Sequence, residues 1–95
     1  MRRAAKVDGN HSIIVDGLRQ FGVSVHSTAA LGRGFPDLAA GYKGKNYFLE
    51  VKDEGQSPSK KKLTPDEQIF AKNWRGQVAT VECLNDALVV LGIKI

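Results

Sequence analysis

The chain has 95 residues, with 14 Lys and Arg against 10 Asp and Glu and a single cysteine, Cys83. This length suits one domain without room for a second core, and a lone cysteine excludes an intrachain disulfide, a secreted staple framework and a cysteine zinc cluster. The net charge of +4 is compatible with a polyanionic partner, while the longest apolar run, residues 87–91, is too short to cross a bilayer.

Arg2, Arg3 and Lys6 open the chain, but no apolar stretch follows them. A cytoplasmic protein without membrane association is therefore expected. Across residues 10–21, Ile13, Ile14, Gly17, Leu18 and Phe21 recur at helical spacing and Gly22 supplies the stop, so a first amphipathic helix is predicted. Residues 23–26 alternate apolar and polar, and residues 27–34 are rich in small side chains and glycine. They read as a strand entering a flexible loop.

Residues 35–41 and 46–52 form a predicted hairpin around Tyr42-Lys43-Gly44-Lys45, with Pro36 confined to the start of its strand because it cannot donate a ladder bond. Centring the turn between Lys43 and Gly44 makes Asp37 face Glu50. A three-residue turn would shift the register and rotate one acid away. Residues 53–62 are polar, contain Gly55 and Pro58, and read as a mobile loop that ends in Lys60, Lys61 and Lys62. Basic runs of this kind are commonly solvated, but this one borders the acids.

Thr64-Pro65-Asp66-Glu67 is a helix start: Thr64 as N-cap, Pro65 at the first position, and Glu67 reaching back to close a capping box. Glu67 is thereby assigned a structural task and no catalytic one. This helix is expected to reach about Arg75, with Phe70 and Trp74 one turn apart and Gly76 ending it. Residues 78–81 form a further strand, and Asn85 is expected to cap a short last helix that ends at Gly92. The order αβββαβα on one core reads as α/β, a mixed sheet flanked by helices. A unit this small is a candidate for dimerisation.

The chemistry concentrates on the hairpin. Residues two apart on a strand share a face, so Glu50 and Lys52 point together, their Cα atoms about 6.6 Å apart, while Leu49 and Val51 point the other way. Like charges directly opposed across an antiparallel pair are destabilising, and a structural hairpin has little reason to keep Asp37 opposite Glu50. A divalent cation removes the conflict, since Mg²⁺ is held by one or two carboxylates together with water and substrate phosphate. Glycines 32 and 34 would let backbone approach a phosphate closely. As a purely structural pair, Glu50 and Lys52 would contribute at most about 1 kcal/mol.

His11 and His26 lack metal-binding spacing such as HExxH and read as ordinary side chains, although His26 leads into the glycine loop. Tyr42, Tyr47 and Trp74 could stack on bases, but in so small a core aromatic residues are more often packing. Cys83 reads as a small buried apolar residue.

With these elements in place, the chain resembles the PD-(D/E)xK nuclease superfamily, and within it the small stand-alone VRR-Nuc proteins of bacteriophages. The resemblance rests on Gly34-Phe35-Pro36-Asp37, Glu50-Val51-Lys52, and Leu63-Thr64-Pro65-Asp66-Glu67-Gln68 in the following helix. It implies a restriction-endonuclease-like core in which Asp37, Glu50 and the backbone carbonyl of Val51 ligate Mg²⁺ or Mn²⁺. Lys52 would orient the attacking water or stabilise phosphate charge, and Gln68 would support the site. Gly32, Arg33, Gly34, Lys60, Lys61 and Lys62 are the expected nucleic-acid contacts.

Relatives often carry a Glu on the first helix where this chain has Asn10; Asp8 is a poorer substitute by spacing. A neutral Asn oxygen could hold a metal-bound water but weakens a second metal site. The resemblance further implies a homodimeric endonuclease on branched DNA such as four-way junctions, with no small organic cofactor. A less selective nicking or flap-processing nuclease and a catalytically decayed DNA-binding module are the alternatives.

Overall fold

The structure is a computed structural model that describes residues 10–53 and 55–94. Arg2, Arg3, Lys6 and Asp8 lie outside the described residues. The elements run α1 (His11–Gln20), β1 (Ser24–Ser27), a 3₁₀ turn (Ala29–Leu31), β2 (Leu38–Tyr42), β3 (Lys45–Val51), α2 (Pro58–Lys61), α3 (Pro65–Asn73), β4 (Gln77–Val81) and α4 (Leu84–Leu91). The fold is α/β, with a four-stranded mixed sheet in the order β1-β2-β3-β4. Neighbours are antiparallel except β3 and β4, which run parallel. Among the described residues no helix is long and apolar enough to cross a membrane.

The β2–β3 hairpin turns on Lys43 and Gly44, both with positive φ (51° and 81°). This is the pattern of a type I′ turn, whose twist matches that of the flanking strands. The register that follows pairs Leu38 with Leu49 and Ala39 with Phe48, as the centred turn requires.

Alternation along β3 then divides the sheet into two unlike faces. Leu49 and Val51 join Leu38, Ala40 and Val81 beneath α1 and α4, which contribute Ile14, Leu18, Ala87, Leu88 and Leu91 to one buried cluster. Tyr42 and Tyr47 pack against that cluster, in keeping with their structural reading. On the opposite face α3 lies over an aromatic group. Phe48 meets Phe35, Phe70 and Trp74 edge-on, with ring centroids 5.1–6.2 Å apart, and Phe70 stacks on Trp74 at 5.0 Å.

Two expectations are corrected. Residues 53–62 are not all irregular: Pro58–Lys61 forms a helical turn, with Ser57 at the N-cap position and Pro58 preset for the first position. The last helix begins two residues before the expected start, at Leu84 with Cys83 as N-cap, so Asn85 lies inside its first turn and does not cap it. There the Asp86 carboxylate accepts the Glu82 N–H at 2.9 Å. Gly92 ends α4 in the left-handed conformation, as expected.

Candidate active site

Pro36 is buried, and the loop before β2 is tied down by Thr28, whose hydroxyl donates to the Pro36 carbonyl at 2.6 Å and whose N–H donates to the Asp37 carbonyl at 2.7 Å. These bonds set the backbone from which Asp37 projects. One step beyond the Leu38–Leu49 pair, Asp37 stands at the Glu50 register position, and its Oδ2 accepts the Val51 N–H at 2.7 Å. The N–H and C=O of one strand residue point to the same side, so the Val51 carbonyl also lies on the Asp37 side of β3.

Glu50 is the one charged side chain buried among the described residues, at 7% exposure. Burial, reinforced by the negative charge of Asp37 and by Glu67, pushes its carboxyl up to about 9. The metal-free fold therefore favours the protonated form of Glu50 at neutral pH. Burial alone would raise Glu67 too, but hydrogen bonds from the Thr64 backbone, from Lys52 and from Glu50 hold it below its ordinary value. Lys52 completes the group, with Nζ 3.0 Å from Glu67 Oε1 and 3.7 Å from Glu50 Oε2.

These side chains open on a cleft of about 370 Å³ lined by Asp37, Glu50, Val51, Lys52 and Glu67, together with Gln56 and Lys60. Behind it an apolar cavity of about 240 Å³, walled by Phe70, Ala71, Val78 and Ala79, also reaches Glu50 and Glu67. The acids thus sit where a polar mouth meets an apolar floor, the environment that raises a carboxyl's proton affinity. The open side of the same face is floored by Ala39 and Gly41 and bordered by the exposed His26.

The expected site residues divide. Asp37, Glu50, Val51 and Lys52 come together, and Lys60 lines their cleft. Lys61 instead pairs with Glu82 at 3.1 Å, and Lys62 is exposed beyond α2. Gln68 is exposed and directs its amide to the Leu63 carbonyl at 2.9 Å, away from the acids. The position next to it explains why: successive helical residues point about 100° apart, so only one of Glu67 and Gln68 can face the sheet.

Asn10 has a structural task through its amide nitrogen, while its Oδ1 is buried without a hydrogen-bond partner among the described residues. Its amide nitrogen donates to the Lys52 carbonyl at 3.3 Å and to the Glu82 carbonyl, splicing the start of α1 to the ends of β3 and β4. Gly32 and Arg33 are exposed. Gly34 is needed for another reason than a phosphate approach: its φ is +82°, and a Cβ there would lie 2.5 Å from the Asp66 backbone. The first turn of α3 rests directly on it.

Sequence reasoning missed Glu67 as a member of the site. The capping box is real, with both reciprocal bonds formed, but the same carboxylate also reaches Lys52. No local signal carries that second role, although the helix start placed just after the basic run was legible. Among the described residues no three His, Cys, Asp or Glu side chains make a metal-holding group. A cation here would rest on Asp37, Glu50 and the Val51 carbonyl, a donor set of two carboxylates and one carbonyl suited to a hard, water-retaining ion. No family model, curated protein or solved structure matches the chain.

Proposed function

We propose that this chain is a Mg²⁺- or Mn²⁺-dependent endodeoxyribonuclease of the PD-(D/E)xK type that hydrolyses phosphodiester bonds. The observation that carries this reading is the convergence of Asp37, Glu50 and Lys52 on one cleft, with Asp37 held by the Val51 N–H and Lys52 3.7 Å from Glu50. Two acids brought together, one of them buried so that its carboxyl favours the proton, form a site that a divalent cation would relax. When bound, such an ion supplies Lewis-acid contact to phosphate and a nucleophilic water at neutral pH.

The chain's own groups do the rest. Asp37 and Glu50 would hold the ion as carboxylates. Lys52 brings a compact positive charge to the face where phosphate charge develops, and Lys60 offers a phosphate contact at the cleft wall.

Branched DNA such as a four-way junction is the proposed substrate and a homodimer the proposed working form. The test is incubation of purified protein with labelled four-way junction, flap, duplex and single strand in Mg²⁺, Mn²⁺ or EDTA. Metal-dependent cleavage that favours the junction is expected. Equal cutting of all substrates would leave a less selective nicking or end-processing nuclease. No products from any of them, with binding unchanged in Glu50→Gln, would mean a DNA-binding module.

A further inference from the structure

We infer that Glu67 is a positioning residue: through the capping box of α3 it holds the Lys52 ammonium beside Glu50 in the cleft. This inference rests on the hydrolase reading for its consequence, though not for its geometry. A lysine side chain is a flexible four-carbon stem bearing a point charge, and nothing in a strand residue's backbone decides where that charge rests. Here a Glu67 carboxylate oxygen stands at hydrogen-bond distance to hold it. Glu67 Oε1 accepts the Thr64 N–H at 2.9 Å and the Lys52 ammonium at 3.0 Å, while Thr64 Oγ1 accepts the Glu67 N–H at 3.2 Å.

A capping box needs only the two reciprocal bonds with the N-cap residue. The additional bond from Lys52 couples the helix terminus to β3. Two further features register the helix for that purpose. Asp66 packs on the backbone of Gly34, three residues before Asp37, with no space for a Cβ between them. Glu67 also lines the same cleft as Glu50. The start of α3 therefore touches both the loop before Asp37 and Lys52, and its placement sets where the lysine stands beside Glu50.

The experiment compares wild type, Glu67→Ala, Glu67→Gln, Lys52→Ala and the Glu67→Ala/Lys52→Ala double variant in steady-state cleavage at the Mn²⁺ concentration that saturates wild type and at a higher one. Alongside, the labelling rate of Lys52 by an amine-reactive acetylating ester is followed by mass spectrometry, with exposed Lys72 as reference. Loss of a supporting contact typically lowers activity about 10–100-fold, and the fall should appear in kcat with KM nearly unchanged, because the lost interaction belongs to the transition state. Glu67→Gln, which keeps an acceptor oxygen, should recover part of it. Adding Glu67→Ala to Lys52→Ala should cost little more, and Lys52 should label faster in Glu67→Ala while Lys72 does not change.

A Glu67→Ala defect that merely tracks the folded fraction, with Lys52 labelling unaltered, would overturn the inference and leave Glu67 as a helix cap. A defect relieved by raising the Mn²⁺ concentration would overturn it in favour of direct metal holding. If wild type cleaves nothing, the proposed function fails, yet the labelling comparison still decides whether Glu67 places Lys52.

Discussion

On the face of the sheet covered by α1 and α4, the side chains of Ile14, Leu18, Leu38, Leu49 and Val81 are fully excluded from water, at 0% exposure. On the opposite face α3 contributes no buried residue, leaves Ile69 58% and Trp74 43% exposed, and closes only over an aromatic group. The same strand, β3, serves both: Leu49 and Val51 complete the core while Glu50 and Lys52 line a cleft. One face is finished for stability, and the other carries a buried carboxyl whose proton affinity is raised by that burial, a group that a simple structural domain would gain by losing. A small protein can hold such a group because the first face stabilises the fold independently of it.

Substitutions on the two faces should therefore part company. The largest effect on stability is expected for Leu49→Ala, about 2–5 kcal/mol, since it opens a cavity in the closed face; Phe70→Ala on the half-open face should cost about 2 kcal/mol. Chemical denaturation measures both, and equal losses would contradict the contrast drawn between the faces.

Glu50→Gln should reverse the usual sign. Glu50 keeps its proton up to about 9 in the folded chain against an ordinary 4.5, so between those values the native state binds more protons than the unfolded state. Stability then falls as pH rises through that window. The neutral amide lacks this penalty, and Glu50→Gln should gain on wild type with rising pH, by on the order of a few kcal/mol at the alkaline end, while abolishing cleavage. Parallel stability profiles for the two proteins would show that Glu50 is ionised in the fold. Mn²⁺ should likewise raise the melting temperature of wild type and not of Glu50→Gln.

Smaller effects probe the seam where α3 meets the sheet. Gly34→Ala places a methyl against the Asp66 backbone at a positive φ, and at least about 1 kcal/mol of stability should be lost with activity falling further than stability. Thr64→Ala should cost about 1 kcal/mol through the cap alone. Smallest of all, Lys60→Ala should reduce the salt dependence of duplex binding by about 0.9 in slope, whereas Lys61→Ala, already paired with Glu82, should change it less. Equal changes would return the basic run to a uniform electrostatic surface.

How much was legible beforehand followed the range of the interaction. The hairpin register was readable because a Lys-Gly turn and period-two alternation are local, and both acids and the lysine fell where that register put them. The α3 cap was readable for the same reason. Gln68 was carried over from a motif without knowing the helix rotation, and Asn10, read as a candidate support through its oxygen, was not foreseen to join α1 to the ends of β3 and β4 through its amide nitrogen. The start of α4 was misjudged because Asn85 is a good cap by residue type, yet Asp86 bonding to the Glu82 N–H accompanies a start two residues earlier.

The residues from Phe35 to Lys52 by themselves determined an acid pair, a lysine on the same face and the turn that aligns them, since strand alternation and turn chemistry act over a few residues. Only the tertiary structure decided which carboxyl keeps its proton, which of Glu67 and Gln68 faces the acids, and what Gly34 makes room for. Those outcomes depend on how α3 lies across the sheet, and burial, charge repulsion and close backbone contact arise only when distant segments meet.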